Sequence, residues 1–361
     1  MGDKTGTENY SYHLVTQILQ LPEAKSHTFV LFTRPNAIIP EEVKKSNVQV
    51  QLIKFRYLWT QVGLAWATRQ RPFVDVLWVP AHTLPLLRRS GMKTVVTIHG
   101  LEYQWLPEYR NWLQRWYLPL STYYAARSAD HLIAVSRFTK EQLVKELQTN
   151  PKRIKVIQEG VLQHLTTIGK LDQKNTLARY TIGEQPYILF VGTIQPRKNI
   201  PALVEAFAMF SAHYPDYKLV IAGSIGWMAG PVFQAPGRYG VQEKVVFTGR
   251  VSDLALSSLY QGAFLYVQPS ITEGFGLPVL EAMGRGVPVI SSDGGALPET
   301  VDKAGIIVQQ GLGFAQRLAE ALLRVAGEPK LYAQLIVAGR KRVTALSWAK
   351  AARETLAVLV K

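Results

Sequence analysis

The chain has 361 residues, 41 Lys plus Arg against 26 Asp plus Glu, a formal net charge of +15 and no cysteine. That length suits two domains of ordinary size, and the missing thiols exclude disulfides, thiolate zinc sites, iron–sulfur clusters and a cysteine nucleophile. With 47% apolar and 19% charged residues the balance is globular, while net charges of +11 in residues 1–180 and +4 in 181–361 either favour a polyanionic partner for the first half or serve solubility.

In chain order, the N-terminus MGDKTGTENYSYH is polar and has no apolar run, so no signal peptide is expected. A helical pattern over Glu8 to Leu21 follows the loop Lys4-Thr5-Gly6-Thr7, and no strand precedes that loop. A doubly wound domain ordinarily opens on a strand. The first domain is therefore expected to lack its first strand, or to dock its first helix differently. Apolar runs that read as strands follow at residues 27–33, 47–53, 73–79, 94–98, 131–135 and 154–157, and again at 187–192, 217–223, 244–249, 263–268, 287–291 and 305–308. Several end in Gly and lead through a loop into a helix, the rhythm of parallel βα units. The spacing predicts an α/β protein of two doubly wound halves. The polar stretch Gly160 to Gln185 has weak apolar periodicity and is read as the connection between them. The expected division is an N-terminal domain over 1–165, a C-terminal domain over 166–346 and a last helix over 347–361 able to cross back to the first domain. The long uncharged runs 219–237 and 254–272 are broken by Gly, Pro, Ser and Gln, so no spanning helix is expected and a cytoplasmic location is the default.

The most informative stretch is PSITEGFGLPVLEAM, residues 269–283. It follows the strand AFLYVQ and opens a helix, with Pro278 suited to its first turn and Gly284 to its end. The loop Gly274-Phe275-Gly276-Leu277 then offers backbone N–H groups at a positive helix end, a site for phosphate oxygens. Glu273 and Glu281 bracket the loop, and carboxylates there suit hydroxyls on either side of a diphosphate, the chemistry of a nucleotide sugar. A glycine-containing strand–helix turn with Glu281 near the helix start is the plainer alternative.

The segment EGFGLPVLE resembles the E-x7-E signature of retaining glycosyltransferases of family 4, which have the GT-B fold of two facing Rossmann-like domains. FVGTIQPRKNIPALVEAF (190–207), VVFTGRVSDLALSSLYQGAFLYVQPS (245–270), GVPVISSDGGALPETVDKAGIIV (286–308) and ADHLIAVSRFTKEQL (129–143) extend the likeness over almost the whole chain. The resemblance implies several roles. Lys198, with Arg197 beside it, would contact the donor diphosphate; Thr193 stands where many relatives have an arginine. Backbone groups near Arg250 and Val251 would meet the base. Glu273 would position hydroxyls of the donor sugar and Glu281 would hold the ribose. His99, at the end of strand TVVTI, would lie near the reaction centre, although a lone histidine at a strand end is more often structural. Gly6 would approach the diphosphate, where the family usually has two glycines.

No Asp-x-Asp occurs, so neither a metal nor another cofactor is expected. No P-loop, Gly-x-Gly-x-x-Gly or Gly-x-Ser-x-Gly motif supports nucleotide hydrolysis, dinucleotide redox chemistry or an acyl-transfer serine, and nucleic-acid binding would rest on charge alone. The expected function is metal-independent, retaining hexosyl transfer from a nucleoside-diphosphate sugar, GDP-mannose before a UDP-sugar, to a glycan or lipid-linked saccharide in cell-surface polysaccharide synthesis. A non-catalytic nucleotide-sugar-binding or membrane-associated partner of a polysaccharide assembly complex is the alternative. Residues 103–127 crowd Trp and Tyr among Arg110, Arg115 and Arg127, a composition suited to peripheral contact with an anionic membrane or to an ordinary amphipathic core stripe.

Overall fold

The computed structural model describes residues 6–37, 39–101, 112–161 and 168–361, with the backbone alone for 112–115. The chain divides into two compact units, 1–160 with 348–361, and 161–347. The boundary falls at Gly160/Val161; the expected one, at 165/166, lies outside the described residues.

The first unit runs α1 (Gly6–Gln20), β1 (Phe29–Thr33), β2 (Val48–Leu52), α2 (Ala65–Ala67, continuing a π-helical turn over Trp59–Leu64), β3 (Val76–Val79) and β4 (Lys93–Ile98). It continues with α3 (Trp112–Ser128), β5 (His131–Ala134), α4 (Arg137–Leu147) and β6 (Ile154–Val156). Its strands form two parallel sheets, β1-β2 and β3-β4-β5-β6. Both sheets border one core, because Phe32 of β1 and Ile53 beyond β2 pack into the cluster of Leu77, Val79, Val96 and Ile98. Among the described residues no strand precedes α1.

The second unit runs α5 (Lys170–Arg179), β7 (Tyr187–Val191), α6 (Ile200–Ser211), β8 (Lys218–Ala222), α7 (Gly230–Arg238), β9 (Val245–Gly249), α8 (Asp253–Gly262) and β10 (Leu265–Gln268). It continues with α9 (Leu277–Gly284), β11 (Val289–Ser292), α10 (Leu297–Val301), β12 (Ile306–Val308), α11 (Phe314–Gly327) and α12 (Pro329–Thr344). Its sheet is parallel throughout, ordered β12-β11-β10-β7-β8-β9. Strands such as YILFV (β7) and KLVIA (β8) are apolar on both sides because helices cover both faces. Phe314, Leu318, Leu322 and Val325 recur at helical spacing on α11 and lie, with Leu203, Phe207 and Phe210 of α6, in one buried cluster. Each such fully buried side chain contributes about 1.5–3 kcal/mol. Gly192 follows β7 and Gly223 follows β8; a Cβ on Gly223 would stand 2.1 Å from the Gly192 carbonyl oxygen, so the two loops can run together only without a side chain there.

One element departs from the sequence expectation. Residues 160–185 contain α5, which buries none of its residues yet sets Gln173 and Leu177 against Gly262 at the end of α8. Gln261 exchanges hydrogen bonds with the main chain of Ile168, anchoring the segment. A helix that presents polar atoms to its partner leaves no apolar period to read.

The last helix, α13 (Trp348–Leu359), belongs to the first unit. Trp348 stacks on His13 at 5.4 Å and meets Tyr10 edge-on at 5.9 Å, while Lys93 donates to the Lys361 carbonyl. Among the described residues no helix is long and apolar enough to cross a membrane.

Candidate active site

In an open parallel sheet, ligands bind beyond the carboxyl ends of the strands where the strand order reverses. In the second unit that point lies between β7 and β10, the paired strands from which the order runs outward both ways. Two loops leave there. Residues 192–199 lead from β7 into α6, and residues 269–276 lead from β10 into α9. They carry Arg197, Lys198, Glu273, Gly274, Phe275 and Gly276 of the residues singled out in the sequence.

The loops are joined at one carboxylate. Glu273 Oε1 accepts from Lys198 Nζ at 2.5 Å, Ser270 Oγ at 2.6 Å and Gln268 Nε2 at 2.9 Å, and its Oε2 accepts from Arg197 Nη1 at 2.8 Å. The backbone adds Ile271 N–H donating to the Arg197 carbonyl, and Arg197 Nη1 also reaches the Thr272 carbonyl. Lys198 and Glu273 are both buried. Burial alone would push the Glu273 carboxyl upward, but Lys198 first, Arg197 next and the hydrogen bonds from Lys198 and Ser270 hold it down at about 2. Glu273 is thus ionised throughout the physiological range, and the cluster of two cations and one carboxylate keeps a net positive charge.

A third loop buttresses the arrangement. Gly295, in the left-handed region at φ +63°, is so close that a Cβ would lie 2.4 Å from the Glu273 carbonyl oxygen, and Ala296 N–H donates to that oxygen. Gln310 donates to the Ile271 carbonyl. Gly276, at φ +100°, is the N-cap of α9 and offers no side-chain cap, so the helix starts at Leu277, four residues after Glu273, with its positive end uncapped by a side chain. Phe275 is buried and its carbonyl accepts from Thr300.

Glu281 lies one turn into α9 and outside the Glu273 network. Its Oε2 accepts from the Tyr260 hydroxyl of α8 at 2.8 Å. Burial raises its carboxyl, offset in part by that hydrogen bond and by Arg285, so it gains a proton more readily than an ordinary glutamate. Arg250 and Val251 occupy the turn between β9 and α8, whose start is fixed by Ser252 accepting from Ala255 N–H.

In the first unit, His99 follows β4 and is held on several sides. Its Nδ1 lies 3.1 Å from Glu159 Oε1, its Nε2 3.1 Å from the Pro80 carbonyl, and Tyr10 meets its ring edge-on at 4.6 Å. The His99 N–H donates to His82 Nε2, and burial followed by the neighbouring His99 lowers His82 to about 3, so His82 is a neutral acceptor. Gly6 starts α1 in open space, where a Cβ would meet nothing; Lys4 and Thr5 lie outside the described residues. Of the aromatic segment 103–127, residues 103–111 also lie outside them. Among the described residues no three His, Asp or Glu side chains converge as metal ligands.

Of the residues that the sequence singles out, the structure brings Arg197, Lys198 and Glu273 together in one hydrogen-bonded network. No local motif signals their pairing, nor the part of Gln268 and Ser270, which stand five and three residues before Glu273. Glu159 and Tyr260, the partners of His99 and Glu281, carried no separate signal.

Two α/β units built on parallel sheets, the second doubly wound with a cationic cluster at its strand-order switch, define a protein of the GT-B class. The model of glycosyltransferase family 4 matches residues 5–162 and that of glycosyl transferases group 1 matches 172–342, together most of the chain. The chain belongs to this glycosyltransferase family. A relative from Escherichia coli, O-antigen chain mannosyltransferase B, is 31% identical over 60% of this chain and 57% of its own length. Matches to such curated relatives span about half their length. Sucrose-phosphate synthase from Thermosynechococcus elongatus superposes with a TM-score of 0.76 at 21% identity, covering 98% of this chain and 92% of that one. An Anabaena protein solved with UDP-glucose gives 0.74 at 16% identity, covering 100% and 97%. At these identities the likeness is one of fold.

Proposed function

We propose that the protein is a hexosyltransferase that moves a sugar from a nucleoside-diphosphate sugar to a hydroxyl of a glycan or lipid-linked saccharide in cell-surface polysaccharide assembly. GDP-mannose is the first choice of donor and a UDP-sugar the second. The observation that carries this reading is the Lys198–Glu273–Arg197 cluster at the strand-order switch, beside the start of α9. The mannosyltransferase relative supports the choice of sugar, and the UDP-glucose complex of a protein with this fold supports a nucleotide-sugar donor.

In this reaction the anomeric C–O bond breaks, its electron pair leaves with the diphosphate, and the acceptor oxygen bonds the anomeric carbon on the same face, its proton passing to the departing phosphate. The barrier lies in charge separation. Lys198, Arg197 and the amides of 274–277 receive the developing negative charge as donors already in place, which is worth more than donors that must reorganise. Glu273 directs the two cations and offers Oε2 to a sugar hydroxyl; a carboxylate oxygen has capacity for more than one donor. Glu281 accepts from the ribose, and main-chain groups at Arg250 and Val251 meet the base. No step calls on a metal, and anomeric configuration is retained.

The test is a donor screen read by nucleotide release, with product stereochemistry read by NMR and a parallel reaction in EDTA. Release from no nucleotide sugar, or full activity in folded Lys198→Ala, would overturn the proposal. Tight nucleotide binding without transfer to any acceptor would favour the non-catalytic alternative.

A further inference from the structure

Three segments of the first unit that are far apart in sequence meet on its surface. Gln61 donates to the Leu84 carbonyl and accepts from Leu86 N–H. Thr83 lies within hydrogen-bond distance of the Tyr117 hydroxyl, Tyr124 of α3 donates to the Leu86 carbonyl, and Arg88 sits over the Tyr124 ring. Around these anchors the outward side chains are apolar. Leu58, Val62 and Trp66 recur every four residues along the turn that leads into α2, and Trp116, Leu120 and Tyr123 recur at helical spacing on α3. Leu86 and Leu87 stand on the loop between them. Leu58, Trp66, Leu87, Trp116 and Leu120 are each 62–65% exposed, too many large apolar groups at one place to be scattered surface residues.

The charge around them has one sign. Segments 54–74, 83–93 and 112–128 contain Lys54, Arg56, Arg69, Arg88, Arg89 and Arg127 among their basic residues and not one Asp or Glu. A second copy of the same face would set cation against cation. A nucleic acid would meet the guanidinium groups but offers no medium for leucine. A bilayer with anionic headgroups matches both features, giving phosphate to Arg and an acyl boundary to Leu and Trp.

From this juxtaposition we infer that the surface formed by residues 58–66, 86–89 and 116–127 docks the protein on an anionic phospholipid bilayer. The inference goes beyond the transfer reading and does not depend on it. The apolar stripes enter the headgroup boundary, and the arginines fix the orientation by pairing with lipid phosphates.

Co-sedimentation of the full chain with vesicles tests it. Vesicles of one part phosphatidylglycerol to two parts phosphatidylcholine should carry the protein down, and phosphatidylcholine alone should not. Raising salt toward 1 M, where the Debye length shrinks to about 3 Å, should release it. Leu87→Asp and Leu120→Asp, at exposed positions, should keep the wild-type circular dichroism and each lower partitioning about tenfold or more. Leu312→Asp, on the fully exposed Leu312 of the second unit, should bind as wild type. The inference is overturned by no sedimentation with either vesicle, by equal sedimentation with both, or by wild-type binding of folded Leu87→Asp and Leu120→Asp. It is equally overturned if light scattering finds a dimer that Leu120→Asp dissociates while vesicles are ignored.

Discussion

Replacing Glu273 by Gln removes one charge and little volume at the point where the two donor loops meet. A carboxyl moved from its ordinary 4.5 to about 2 stabilises the folded state by ~3 kcal/mol at neutral pH. Losing it while Lys198 and Arg197 stay in place costs a similar amount, in the range of about 3–5 kcal/mol for breaking a buried pair. Because the folded pKa is depressed, this contribution is present above pH 4.5 and is lost as pH falls toward 2. Glu273→Gln should therefore be less stable than wild type by ~3 kcal/mol at pH 7 and by about half that at pH 3. Urea titration followed by amide exchange in β7 and β10 reads the second unit directly. A deficit under about 1 kcal/mol at pH 7, or one that is the same at pH 7 and pH 3, would refute the reasoning.

Lys198→Ala should lower kcat by about 100-fold or more, the cost of removing one preorganised donor from a developing anion; single-turnover nucleotide release measures it. Tyr260→Phe removes a hydrogen bond that favours ionised Glu281, so donor KM should begin to climb at higher pH than in wild type as the medium is acidified, read from KM–pH profiles. The stability sign at Glu281 is opposite to that at Glu273: its raised carboxyl favours folding at low pH and gives that contribution up as pH rises through its folded value. Gly295→Ala should destabilise the second unit by roughly 2–4 kcal/mol and displace Glu273, since the new Cβ meets its carbonyl while the backbone is left-handed; thermal unfolding and donor binding report the two effects. Glu159→Ala should reduce kcat with donor KM little changed, because it removes the carboxylate beside His99 Nδ1 and leaves the second unit untouched; steady-state kinetics decide.

The strands were legible because parallel strands covered on both faces are continuous apolar runs, and runs such as YILFVG announce their own ends. A helix such as α5, docked through Gln173 and one leucine, has no such signature. At the site, Lys198 and Glu273 could each be found within a local motif. Their ion pair could not, because 75 residues separate them and contact depends on β7 pairing with β10, a matter of strand order. His99 and Glu159 pose the same difficulty: each ends or follows a strand, and only the sheet makes them neighbours.

The division of the first unit's strands into two sheets bears on how the protein opens. Among the described residues β1 pairs with β2 alone and β3 with β4 alone, so each keeps one row of backbone donors and acceptors outside any ladder. A two-stranded ribbon is marginal on its own, and every residue of β1 is only half-buried. Local opening should begin there: β1 and β2 amides should exchange well before those of β7 and β8, and brief heating should expose a strand edge able to template association before the second unit loses its fold.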